Sequence, residues 1–145
     1  MKRSGLPRYK ALDRRSAVRR AKILAAKVRY TGPTLRVRRI VRERAGDVCE
    51  WPDCGRVGTD YHHRLNRKMG GRKGDRAQEI NQASWLVLAC RTHHDDVTSP
   101  TGERRQLALD MGWLLLEHET ACEVPIAMDG GAFYLDDDGG KEPVG

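Results

Sequence analysis

A chain of 145 residues with 32% charged and only 6% aromatic side chains has material for one domain with a small core, which usually needs a staple such as a metal. No run of about 18 apolar residues is present to span a membrane, and the opening MKRSGLPRYK lacks the apolar stretch of a secretory signal, so a cytoplasmic protein with reduced thiols is expected. The net charge of +7 is uneven: residues 1–46 carry 16 Lys and Arg against Asp13 and Glu43, a local +14, which leaves −7 for residues 47–145.

In chain order, residues 1–12 read as extended, with Gly5 and Pro7 set against a helix. Asp13 can cap a basic helix running to about Tyr30, with Val18, Ala21, Ala25 and Val28 as a thin apolar stripe. Residues 1–33, closed by the break TGP, therefore form a basic N-terminal helical arm. Such an arm reads as a grip for a polyanion, DNA or RNA first, with a solvated tail as the bland alternative. Thr34 is placed to cap a second helix that carries Val37, Ile40, Val41 and Ala45 on one face and meets Gly46 at its end. Residues 34–120 are expected to hold the core, and Cys and His concentrate between Asp47 and Ser99. ERRQLALDM at 103–111 suggests a short helix stopped by Gly112. LLLE, EVPIAM and AFYL then read as short strands, with DGG at 129–131 as a hairpin turn. Residues 121–145 make a C-terminal hairpin and an acidic tail, DDDGGKEPVG, which is expected to fray.

The chemistry lies in the middle. Cys49 and Cys54 bracket the tight loop EWPD, while Cys90 and His93 stand one helical turn apart. Two thiolates from a knuckle with a Cys and a His from a helix start make a tetrahedral zinc site. The Cys-x4-Cys pair alone would be weak; two pairs 35 residues apart in a Cys-poor chain are much stronger. Cys122 has no partner nearby and reads as a buried apolar thiol. With the quartet filled, His62, His63 and His94 remain. Neighbours in a strand point to opposite faces, so His62 and His63 can do two jobs, one ring binding a cation and the other handling a proton. Tandem surface histidines without a role are the alternative.

At this point the segments CEWPDC, YHHRLNRKMGG and WLVLACRTHHDDVTS resemble the zinc-containing HNH endonucleases, especially the small ones encoded by tailed phages of actinobacteria. VRERAGDVCE, INQ and EVPIAMDGGAFYLDDDGG are similar to the same phage group, so the likeness covers nearly the whole chain. It implies a small α+β protein with a ββα-metal (HNH, treble-clef-like) core stapled by a structural zinc on Cys49, Cys54, Cys90 and His93. It implies that His62 and His94 hold a catalytic divalent cation, Mg²⁺, Mn²⁺ or another, and that His63 is the general base. In the family the middle Asn lies five residues before the third zinc ligand, where this chain has Trp85. Asn81 stands four residues earlier, as in many phage members, and is expected to take over that role of fixing the loop behind the His pair.

The implied activity is metal-dependent hydrolysis of DNA phosphodiester bonds, by nicking or cutting, with phage terminase or packaging proteins as partners. Asp60 could orient a ring or a metal-bound water, or cap a turn; Arg64 could pair with a phosphate or stay solvated. Two other classes fit part of the same residues. A non-catalytic zinc-stabilised module that binds nucleic acid needs only the quartet and the arm, and an assembly factor needs only the knuckle and the acidic tail. The endonuclease needs His62, His63 and His94 together.

Overall fold

The computed structural model describes residues 31–69 and 71–145; the helix expected over residues 13–30 lies outside them. Helix α1, Leu35–Ala45, is decided by its two ends. The Thr34 hydroxyl accepts the Val37 amide at 3.3 Å, and Gly46 adopts φ 62°, returning its amide to the last turn of the helix. Strand β1, Asp60–His63, pairs antiparallel with β2, Leu86–Ala89, and sets His62 opposite Val87 and His63 opposite Leu86. Between them lie a short helix α2, Asp75–Glu79, and a 3₁₀ turn, Ala83–Trp85. Cys90 then opens α3, Arg91–Thr98, and α4 covers Gly102–Asp110. A second antiparallel sheet has the order β3–β4–β5, with β3 at Ile126–Met128, β4 at Gly131–Leu135 and β5 at Lys141–Pro143. Among the described residues this is a small α+β protein of four α-helices and two small sheets.

The run LVLA of β2 is buried on both faces, so it feeds two cores in alternation. Val87 and Ala89 join Cys49, Cys90, Val97, Trp113, Ile126, Met128 and Leu135 in one cluster, while Leu86 and Leu88 join Val41 of α1 and Ala83 in another. The C-terminal hairpin thus shares its core with the cysteine knuckle. A third cluster gathers Leu65, Ile80, Trp85, Leu115 and Ala121. Behind the knuckle, the side chains of Arg44 and Glu50 are 1% and 4% exposed and pair at 2.8 Å. Arg44 also donates to the carbonyls of Ala83 and Leu86, and Glu50 accepts the Leu88 amide. With these hydrogen bonds the buried pair ties α1, the knuckle and β2 together.

Two expectations are corrected here. LLLE forms no strand. Gly112, at φ 69°, turns the chain where an added Cβ would lie 2.0 Å from the Pro125 oxygen, and the amides of Leu114 and Leu115 go to Ala108 and Arg64 instead of a ladder. The acidic tail is not frayed, since Lys141–Pro143 pairs with Phe133–Leu135. Its carboxylates are used locally: Asp136 accepts the amides of Asp138 and Gly140, and Asp137 accepts both the amide and the hydroxyl of Ser84.

Candidate metal centre and histidine site

The knuckle is a narrow loop closed by the bridge Val48–Val57 and by the Cys49 amide on the Arg56 carbonyl at 2.8 Å. It turns through Asp53 and Gly55, at φ 57° and 63°, and Asp129 of the C-terminal hairpin accepts the Asp53 amide. Cys90 sits at the start of α3 and His93 within its first turn. The ligand atoms of Cys49, Cys54, Cys90 and His93 all lie within 4.8 Å of one another. Cys54 Sγ is 3.8 Å from Cys90 Sγ, and His93 Nδ1 is 3.5 Å from the sulfurs of both Cys49 and Cys90. Bond lengths of about 2.3 Å to sulfur and about 2.0 Å to nitrogen give tetrahedral edges of about 3.8 and 3.5 Å. The quartet therefore could hold a metal ion such as zinc.

Electrostatics agree with that donor set. Burial pushes the Cys49 thiol up to about 12, a group that a metal rather than water would deprotonate. For Cys90 burial acts upward too, but the His93 amide and the neighbouring Cys54, Cys49 and Arg56 outweigh it, and the thiol lies below its ordinary value. Burial lowers His93, keeping the imidazole neutral as a ligand must be. Trp51 stacks on the His93 ring at 4.8 Å and touches Trp113 at 5.0 Å, so one aromatic pair joins the quartet to the second site.

At that second site the two neighbouring histidines diverge, as extended backbone requires. His62 is buried, and its Nε2 donates to the Trp113 carbonyl at 2.9 Å, leaving Nδ1 with the lone pair. His94 stands edge-on to it, with ring centroids 5.9 Å apart. The Thr98 hydroxyl donates to the His94 carbonyl at 2.6 Å, so its oxygen is an acceptor for His94 Nδ1 at 3.4 Å, and Nε2 keeps its lone pair. Each ring thus offers one nitrogen, with the other committed to a protein acceptor, the usual arrangement of metal-bound histidine. His63 faces Asn81. The Asn81 amide nitrogen donates to Ala77 at 2.7 Å, which turns its oxygen toward His63 Nε2 at 2.9 Å. His63 Nε2 is then the protonated nitrogen and Nδ1 the basic one.

Asn81 therefore reaches the ring of His63, while Trp85 packs in the third cluster under the Arg76 guanidinium, 4.7 Å from its ring. Asp60 accepts the Thr59 hydroxyl and pairs with Arg91 at 2.8 Å. Two further expectations are corrected. Arg64 neither meets solvent nor is placed for a phosphate; it is fully buried and donates to the carbonyls of Gly112, Ser84, Ala121 and Val124. Cys122 is exposed, because the buried residue of its 3₁₀ turn is Ala121, whose carbonyl Arg64 holds. Trp113 went unforeseen, since a backbone carbonyl leaves no mark in composition; only Gly112 beside it hinted at a special turn. No family model, curated protein or solved structure matches the chain.

Proposed function

We propose that the protein is a metal-dependent DNA endonuclease of the HNH type, with β1, β2 and α3 as its ββα-metal unit and zinc in the Cys49, Cys54, Cys90, His93 quartet. The observation that carries this reading is the fixed orientation of His63. Asn81, itself anchored on Ala77, holds its Nε2 proton and leaves Nδ1 as a base beside the pair His62 and His94. Burial lowers the His63 pKa while the Asn81 bond raises it, and the net shift is downward, so the basic form is the resting form near pH 7. A divalent cation on His62 and His94, completed by water, would stabilise charge on the phosphate and the departing 3′ oxygen. His63 accepts the proton of the attacking water. Asn81 keeps the ring from turning, and the Trp113 carbonyl keeps His62 in its ligating tautomer. The basic N-terminal arm grips the DNA backbone, and terminase or other packaging proteins are the partners to test by co-purification.

Supercoiled plasmid incubated with Mg²⁺, Mn²⁺ or Ni²⁺ tests the reading. His63→Ala should keep zinc and DNA affinity but lose roughly 10²–10⁴-fold in nicking rate. His94→Ala should lose activity that partly returns at high cation concentration. A His63→Ala protein that nicks at the wild-type rate sinks the mechanism. One observation favours a second reading, a non-catalytic zinc-stabilised nucleic-acid-binding module. Among the described residues only the Cys₃His group brings three or more metal-ligating side chains together, whereas His62 and His94 are a pair. Wild-type protein that binds DNA but leaves it uncut with every divalent cation tried would select that module.

A further inference from the structure

The loop from β1 to α2 starts directly after His63 and, from its third residue on, carries Arg67, Lys68, Arg72 and Lys73 around Met69. Met69 is 102% exposed, the most exposed large apolar side chain among the described residues. An exposed apolar residue by itself needs no explanation. This one is held out by construction. The Asn66 side-chain oxygen accepts the Lys68 amide at 2.8 Å, and the Gly71 amide closes the turn on the Lys68 carbonyl at 3.1 Å. Lys68 adopts φ 62°, a left-handed conformation that costs a residue with a side chain roughly 1–2 kcal/mol. Arg72 braces the turn from beneath: Nε donates to the Asn66 carbonyl at 2.9 Å, and its fork grips Glu117, with the Arg72 side chain only 6% exposed. A strained, braced turn that ends in a bare methionine suits insertion into something.

The chemistry of the flanks selects the occupant. A single apolar side chain falls far short of a membrane anchor, which needs a broad apolar face or two lipid chains. It also falls far short of a stable protein interface, which takes about 800 Å² from each partner. Duplex nucleic acid asks for less. Cations on both sides meet phosphates, and one apolar wedge enters between stacked bases. Arg67 follows His63 by four residues, and the Arg64 amide between them is held on the Trp85 carbonyl at 2.9 Å, so the loop leaves directly from the strand that carries the proposed base.

We propose that residues 66–69 and 71–74 form a DNA wedge, in which Arg67 and Lys73 bind phosphates and Met69 enters a base step next to the bond presented to His63. This rests on the endonuclease reading for its choice of DNA. An inserted side chain untwists the duplex whatever its sequence, so the test uses closed circular plasmid. Full-length zinc-loaded protein is bound without added divalent cation, the circle is relaxed by a topoisomerase, and the linking number is read after protein removal. Wild type and Met69→Leu should both shift the topoisomers, and Met69→Ala at equal occupancy should not. Zinc content and melting should be equal in all three, because the side chain touches solvent alone. Equal shifts with Met69→Ala, or no shift by wild type that binds, would overturn the wedge and leave the endonuclease standing. Wild type that fails to bind duplex overturns both. Protein that unwinds through Met69 but leaves plasmid un-nicked with every divalent cation tried supports the wedge and removes the endonuclease.

Discussion

Burial sets the protonation of His62 before any ligand arrives. Removal from water dominates, opposed by the Trp113 carbonyl, and lowers its pKa to about 4. The unfolded imidazole titrates near 6.5, so between these values the unfolded chain binds more protons. This contribution to stability is therefore complete above about pH 6.5 and is lost as pH falls toward 4, on the order of 3 kcal/mol in all. In zinc-loaded protein, urea melts across that range should fall more steeply for wild type than for His62→Gln, which keeps a donor for the Trp113 carbonyl. Parallel slopes would show that His62 is not held neutral by the fold. Arg64 supports a second expectation at this scale. Arg64→Met removes the donor of four carbonyls, each costing about 1–3 kcal/mol if left unsatisfied, so it should lower stability by more than about 3 kcal/mol. Denaturant midpoints at constant m-value would measure it. The sequence could suggest the roles proposed for His62 and His63 because those roles would belong to side chains. Arg64 was illegible because its partners are carbonyls from three distant segments, and carbonyls are the same in every residue.

Among the elements, those with local instructions were legible. Thr34 and Gly46 mark both ends of α1, and the alternation in EVPIAM and AFYL around DGG gives the β3–β4 hairpin. The quartet was legible as well, since Cys and His spacing maps onto a knuckle and one helical turn. LLLE failed because its leucines serve two cores from an irregular segment, and the tail failed because Asp136 and Asp137 satisfy amides, which raw charge does not reveal. The knuckle cysteines and the lone thiol should accordingly part company on mutation. Cys49→Ser should release the metal and give molten protein, since Cys49 lies within the largest core cluster, whereas Cys122→Ser at an exposed position should change stability by less than about 0.5 kcal/mol. Metal content and near-ultraviolet circular dichroism would separate the two. Stripping the metal should also change tryptophan fluorescence, because Trp51 lies on the His93 ring and against Trp113.

For the whole molecule the charge division matters most. No helix among the described residues is long and apolar enough to cross a membrane. Of the 16 basic residues in the first 46, 11 precede residue 31, so the proposed DNA grip is concentrated there. Deletion of residues 1–30 should leave the zinc-bound core folded, weaken DNA binding and flatten its dependence on salt, since fewer counterions are released. Fluorescence anisotropy at several salt concentrations measures this, and an unchanged slope would move the grip elsewhere on the protein.

The turn at Gly112 and Trp113 has a genetic corollary. Its two successive carbonyls receive Arg64 and His62, and it is itself held from β3, where the Ala127 amide reaches Met111 and the Ala127 carbonyl receives Trp113 Nε1. A nonsense codon just after Pro125 would remove the strand that keeps those carbonyls in place. In a screen of random mutants, such truncations should fall into the same phenotypic class as substitutions of His62 itself, more than sixty positions upstream.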